Sequence, residues 1–202
     1  MLRCLPAWTY DANDPGLKLF TLARPLLPAI PAGGSVLEIG YLDTNWAERC
    51  KQADPSLTVT AIDWRDGKTQ QDVTLVQADV LTWEPGQTFD AIVSLSAIEH
   101  IGLGHYAHDP KAEDGDVRTV RRIRRWLKPG GWAYFDVPFT PEGFRLIGTK
   151  CRCYDACALR ERFGDVEILG YTNQSISGWL PEPARSEAGG RPYGYVALVL
   201  KT

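Results

Sequence analysis

Between Ser35 and Pro138 the chain alternates short, apolar, β-branched runs with longer mixed stretches, the pattern of strand-helix-strand units on a parallel sheet. Strands are expected at 35–39 (SVLEI), 57–62 (LTVTAI), 73–76, 89–95 (FDAIVSL) and 132–137 (WAYFDV), each too short for a buried helix. Helices are expected at 45–52 and 116–128, the second stopped by Pro129-Gly130-Gly131. Beyond Pro138 the order changes to a helix at 155–163 and strands at 166–171 and 193–200, which read as an antiparallel terminal hairpin. The first 31 residues are expected to supply a covering helix around 16–23. The connection 172–192 exceeds usual lengths and marks a substrate-side loop. At 202 residues, one domain spanning 1–202 is expected, large enough to fold without a metal or disulfides.

Charge narrows the function classes. Lys and Arg number 22 against 25 Asp and Glu, a net −3, which excludes binding of nucleic acid through bulk electrostatics. The 116–128 helix does carry Arg118, Arg121, Arg122, Arg124, Arg125 and Lys128 around an apolar stripe of Val117, Val120, Ile123 and Leu127. Without aromatic interleaving this reads as a solvated face, with Asp114 and Asp116 favoured by the helix dipole at its start. Pro25, Pro28 and Pro31 interrupt the longest apolar stretches short of the roughly 20 residues a membrane helix needs. Five scattered cysteines, an odd number without a secretory leader, point to reduced thiols and a cytoplasmic protein. The cluster Cys151, Cys153 and Cys157 could hold zinc or form a disulfide. Cys153 and Cys157, one helical turn apart, favour packing as small buried hydrophobes on a helix.

The strongest chemical signal is carried by strand ends. Ser35-Val-Leu-Glu38-Ile-Gly40-Tyr41-Leu42-Asp43 is an apolar strand closed by an acid two positions before a glycine. The next two strand candidates end at Asp63 (TAIDW) and Asp79 (VQADV), so three successive strands place a carboxylate at one sheet edge. Ligands of open α/β sheets bind at that edge, where a glycine lets the backbone approach them closely. Asp63 follows Glu38 by 25 positions, close to where a nucleotide fold sets its ribose acid. Each acid taken singly also reads as a cap or turn residue.

With these blocks in order, the chain resembles the class I S-adenosylmethionine-dependent methyltransferases. VLEIGYLD is similar to the first motif, AIDW to the ribose acid, QADV to the adenine turn, FDAIVSLSAIEHIG to the fourth strand and RRIRRWLKPGGWAYFDVP to the helix-turn-fifth-strand block. The EHIGLGHY continuation resembles a methyltransferase-like subgroup linked to polysaccharide genes. The resemblance implies a three-layer Rossmann-like sheet, mostly parallel with an antiparallel C-terminal strand, and S-adenosyl-L-methionine as cofactor. It also implies that Glu38, Gly40, Tyr41 and Leu42 face the methionine part, Asp63 the ribose and Trp64 the adenine ring. Asp79 and Val80 would read the adenine edge, and Ser94 would line the floor. The family's further glycines would fall at Leu42 and Thr44, and only Gly40 is present.

Methyl transfer needs an aligned nucleophile, and a hydroxyl acceptor gains from a base. Glu99 and His100 are the catalytic candidates, with a helix cap and a packed ring as their alternatives. His100, His105 and His108, with Asp109 and Glu113, invite a metal reading. Their spacing matches no compact ligand motif, so a lid containing Tyr106 is expected and no metal. Trp179, Arg185, Arg191 and Tyr193 of the long loop are candidate substrate contacts. The expected function is methylation, by preference O-methylation, of a small-molecule or sugar acceptor, with a homo-oligomer left open. The alternatives are a catalytically degenerate scaffold, an NAD-dependent oxidoreductase, which the absent Gly-x-Gly-x-x-Gly disfavours, and a nucleic-acid methyltransferase. Ser94-Leu95-Ser96-Ala97 stands where a base methyltransferase would carry Asn-Pro-Pro-aromatic.

Overall fold

The apolar runs become one seven-stranded sheet in the computed structural model, which describes residues 2–3, 15–67, 70–105, 110–173, 176, 178–180 and 194–202. In chain order the elements are β1 (Leu2–Arg3), α1 (Pro15–Ala23), β2 (Ile30–Pro31), β3 (Ser35–Ile39), α2 (Trp46–Ala53), β4 (Thr58–Asp63), β5 (Thr74–Gln77) and β6 (Phe89–Ser94). They continue as α3 (Gly115–Trp126), β7 (Leu127–Phe139), β8 (Arg145–Ile147), β9 (Cys151–Cys153), α4 (Ala156–Phe163), β10 (Glu167–Asn173) and β11 (Gly194–Lys201). The sheet order is β10-β11-β7-β6-β3-β4-β5. The strands from β7 to β5 pair in parallel, and β11 runs antiparallel to both β7 and β10. The Rossmann-like expectation therefore holds, terminal hairpin included.

Period-two alternation sends side chains to both faces, and helices cover each. Val36, Val59, Ala91, Val93 and Tyr134 pack beneath Leu17 and Phe20 of α1 and Trp46 and Cys50 of α2. On the other face Leu37, Ile39, Ile92 and Phe135 meet Ile123 and Trp126 of α3 and Leu159 and Phe163 of α4. Edge-to-face rings lock each layer, with Phe20 5.4 Å from Trp46 and Phe135 5.5 Å from Phe163. At the outer edge, β10 carries a register shift between Ile168 and Gly170, and Leu180 bridges to Tyr171.

Three expectations change. Helix α3 ends at Trp126, because Pro129 disfavours helical backbone at Lys128 and Leu127 pairs with Phe89 as the first residue of β7. The buried stripe of α3 runs through Asp116, Thr119, Val120, Ile123 and Trp126, leaving Val117 half-buried. Its basic face is largely engaged: Arg122 and Arg125 pair with Glu84, Arg124 donates to the carbonyls of Phe163 and Asp165, and Lys128 pairs with Asp90. Finally, β8 and β9 form a short hairpin where no strand was expected, so Cys153 lies on a strand and Cys157 on α4 beyond the Asp155 cap. The two are not neighbours on a helix.

Asp116 is drawn inward by charge. Its carboxylate accepts from Arg162 at 2.7 Å through both oxygens and from the Tyr154 hydroxyl at 2.9 Å, with Arg152 Nε 3.5 Å away. Arg152 is 1% exposed and donates to the carbonyls of Glu99, Ile101, Ala112 and Glu113. One buried cation thus pins both ends of the 99–113 segment. Asp116→Asn leaves that cation uncompensated and is expected to cost about 3–5 kcal/mol of stability in urea unfolding, whereas a loss under about 1 kcal/mol would mean the cluster is solvated.

Candidate functional site

From β3 the chain builds the sheet outward through β4 and β5 on one side and through β6 and β7 on the other. The loops leaving β3 and β6 therefore diverge, and a crevice opens at the carboxyl ends of the strands. It is a cleft open to solvent, enclosing about 730 Å³ of atom-free space with that solvent included. Gly40 and Asp43 line it after β3, Asp63, Trp64 and Arg65 at and beyond the end of β4, and Asp79, Val80 and Leu81 after β5. Ser96, Ala97, His100, Ile101 and Gly102 line it after β6.

Gly40 sets the first turn. Its φ is +82°, and a Cβ there would lie 2.5 Å from the Ala97 Cβ, so the residue needs both left-handed backbone and absence of a side chain. The chain then tightens into a 3-10 turn at Tyr41–Asp43, with Thr44 extended at φ −123°. Neither Leu42 nor Thr44 takes a positive φ, which explains how this turn forms without the family's further glycines.

The structure sorts the expected site residues into two groups. Gly40, Asp63, Trp64, Asp79, Val80 and His100 line the cleft. Glu38, Tyr41, Leu42, Ser94 and Glu99 stand behind it. Glu38 is fully buried, accepts from the Ala47 amide at 2.9 Å and from the Thr44 hydroxyl, and so ties the first turn to α2. The buried Ser94 hydroxyl donates to the Ile39 carbonyl at 3.2 Å, joining β6 to β3 beneath the crevice. Tyr41 is buried, and the Leu42 amide donates to Asp63 Oδ2 at 3.3 Å. Asp79 accepts from the Leu81 amide at 2.8 Å, which fixes the third acid's turn.

Asp63 has an additional partner that sequence reasoning did not single out. Arg65 grips its carboxylate in a bidentate pair, Nε and Nη2 each at 3.0 Å, and also reaches Asp43 at 3.0 Å. The i, i+2 spacing on AIDWR was the available signal. Asp136, set within the apolar run of β7, was missed as well. Buried, it accepts from the Ser96 amide at 3.0 Å and hydroxyl at 2.7 Å, and so holds Ser96 at a φ of +46° on the cleft wall.

His100 and Glu99 divide in role. The His100 ring is 29% exposed, and its Nδ1 hydrogen-bonds the Lys150 carbonyl, which as an acceptor requires the Nδ1–H tautomer. Nε2 is then the basic nitrogen, 3.6 Å from Glu99 Oε1. Glu99 is 2% exposed with Oε2 buried and unpartnered, and burial pushes its carboxyl up to about 8. Gly102 and Ala112, then Leu103 and Lys111, close the base of the loop, while Tyr106, His108 and Asp109 lie outside the described residues, as do Arg185, Arg191 and Tyr193. Among the described residues no three His, Cys, Asp or Glu side chains gather in a metal-holding cluster. Trp179 packs over Gly170 of β10, where a Cβ would meet its ring at 2.5 Å.

Comparisons with known proteins fit this geometry. The chain is similar in fold to a Burkholderia thailandensis 1,6-didemethyltoxoflavin-N1-methyltransferase, solved with S-adenosylhomocysteine, at 16% identity, a TM-score of 0.63, and 95% of this chain and 79% of that one covered. A TehB-like S-adenosylmethionine-dependent methyltransferase from Corynebacterium glutamicum matches at 16% identity and 0.57, over 90% and 85%. One from Clostridium acetobutylicum matches at 13% and 0.55, over 83% of each chain. No curated protein matches significantly in sequence. A family described as a methyltransferase domain matches residues 10–177. The chain accordingly belongs to this methyltransferase domain family.

Proposed function

We propose that the protein methylates a small-molecule or carbohydrate-like acceptor, by preference at a hydroxyl, at the end of the cleft bounded by His100. The observation that carries the reading is the cleft itself, in which Asp63 and Asp79, from the ends of successive strands, share one wall with the side-chain-free turn at Gly40. These residues suit the cofactor. Asp63 would accept from ribose hydroxyls, Trp64 would pack on the adenine, and Asp79 with the Val80 amide would read its edge. The backbone from Gly40 to Leu42 would follow the methionine part, while Glu38 and Ser94 hold that turn and the floor in place. S-adenosylmethionine, when bound, supplies an electrophilic methyl group, so the protein's task is chiefly alignment.

His100 is the base in this reading, taking the acceptor's proton at Nε2. Glu99 acts through it as a positioning residue. The acceptor class draws support from the Burkholderia neighbour, whose named substrate, 1,6-didemethyltoxoflavin, is a small molecule methylated at nitrogen. A nitrogen acceptor is therefore the second arm of any screen. The EHIGLGHY block and its polysaccharide link put sugars first in the hydroxyl arm. No helix among the described residues is long and apolar enough to cross a membrane, and with Cys50, Cys151, Cys153 and Cys157 free we take a cytoplasmic setting. The scaffold reading has one observation in its favour, the Arg65 guanidinium that already fills Asp63. Calorimetry with S-adenosylhomocysteine separates the two, since micromolar binding supports the enzyme and no binding leaves the scaffold.

Asp63→Ala is expected to weaken cofactor binding by about 1.5–3 kcal/mol, the range for charge-assisted hydrogen bonds; unchanged affinity in calorimetry removes Asp63 from the site. With a sugar acceptor, His100→Ala should lower turnover while leaving cofactor affinity near wild type, and an equal fall in both assigns the ring to structure alone. Glu99 generates a pH signature. Its folded pKa of about 8 lies above the ordinary 4.5, so the folded state holds a proton the unfolded state releases, and stability drains away between those values as pH rises. Glu99→Gln should therefore gain stability relative to wild type between pH 5 and pH 8 in denaturant titrations. A difference constant with pH would show that Glu99 is not protonated when folded.

A further inference from the structure

Cys151 and Cys153 stand two residues apart on β9, on one face of the strand, with Arg152 directed the other way into the Asp116 cluster. Their thiols touch, Cys153 donating to the Cys151 sulfur. Cys151 is half-buried and reachable, whereas Cys153 is buried. The other described thiols are elsewhere: Cys50 on the core face of α2 and Cys157 exposed on α4, donating to Glu161. The same short strand is fastened to the cleft wall. The Arg152 amide donates to the Glu99 carbonyl at 3.1 Å, and the Lys150 carbonyl accepts from His100.

We propose that Cys151 and Cys153 form a dithiol-disulfide switch, which a low-molecular-weight disulfide such as oxidised glutathione closes and whose closure shifts His100 on the cleft wall. In the first step the Cys151 thiolate attacks one sulfur of the small disulfide and expels the other as a thiolate. Cys153 then gives up its proton and attacks Cys151 Sγ, expelling the second small thiolate. Two protein thiols and one disulfide become one protein disulfide and two small thiols. The order follows from environment. The hydrogen bond from Cys153, with His100 and Lys150 beside it, holds the Cys151 thiol down at about 6, while the same hydrogen bond and burial push Cys153 up against the opposing pull of Arg145.

Geometry supplies the coupling. Successive strand residues rise about 3.3 Å, so the two Cα atoms lie about 6.6 Å apart, at the upper end of what a disulfide spans. Closing the bond pinches β9, and the pinch falls on Lys150 and Arg152, the residues that hold His100 and Glu99. A strained bond of this kind is also readily reduced, which suits a reversible device.

The test treats the reduced full chain with oxidised glutathione, maps the cysteines by mass spectrometry and follows the His100 ring resonances by NMR, assigned with His100→Gln. A Cys151–Cys153 linkage is expected, together with a shift of the His100 resonances that a dithiol reductant reverses. S-adenosylhomocysteine affinity, which His100 does not set, should stay near that of the reduced protein, so that the resonance shift reports the acceptor end of the cleft and not a lost cofactor site. Cys151→Ser and Cys153→Ala should each fold, bind as the reduced protein does, and lose the response. Glutathione retained on Cys151 without linkage overturns the switch, as does a linkage that leaves His100 unmoved. The affinity readout rests on the cofactor reading; if the reduced protein binds no S-adenosylhomocysteine, that reading fails while the linkage and the resonances still decide the switch.

Discussion

A guanidinium removed from water must find compensation for its charge and its five N–H groups, and in this protein Arg152 finds both in one place. Asp116 supplies charge, and carbonyls from both ends of the 99–113 segment supply acceptors. Among the described residues of this stretch, the cleft wall beyond β6 has no strand or helix of its own. Its course is therefore set by a side chain arriving from β9, some 50 residues later in the chain. Replacing the arginine would free the wall without changing the identity of any residue that lines the cleft.

The two sides of the site are built by different physics. On the β3–β5 side Asp63 closes β4 and Asp79 follows β5 by two residues, so the pairing of β3, β4 and β5 sets the spacing of the two acids along the sheet edge. The β6 side depends on contacts from residues distant in the chain: Asp136 holds Ser96, Arg152 holds the turn at Glu99 to Ile101, and the Lys150 carbonyl holds the His100 ring. In the proposed reading, a rigid cofactor side facing an acceptor side held by tertiary contacts would let one scaffold change acceptors without rebuilding its sheet.

That division also explains what could be read in advance. Strand-end acids and period-two apolar runs are local signals, so the sheet, its terminal hairpin and the cleft positions of Asp63 and Asp79 followed from short stretches of sequence. The α3 stripe was misjudged by one position because a buried carboxylate looks like a helix-start residue until Arg152 and Arg162 are seen to converge on it. The same applies to β8 and β9, whose pairing involves three residues each and whose cysteines mimic a helical repeat with Cys157. Glycines at Leu42 and Thr44 were expected from resemblance, whereas the 3-10 turn needs left-handed backbone at Gly40 alone. Long-range charge pairing left no trace at the scale on which periodicity is read.

The bulge in β10 has a consequence for how the molecule meets copies of itself. An edge strand exposes a row of unpaired N–H and C=O groups that another chain can adopt, and sheets commonly interrupt that row. At one edge, β10 breaks its register between Ile168 and Gly170, Trp179 lies across Gly170, and the Leu180 amide takes the Tyr171 carbonyl. At the other, β5 offers only four residues. Neither border presents a long, regular ladder, so any self-association of this chain is directed away from strand addition and toward its helical faces.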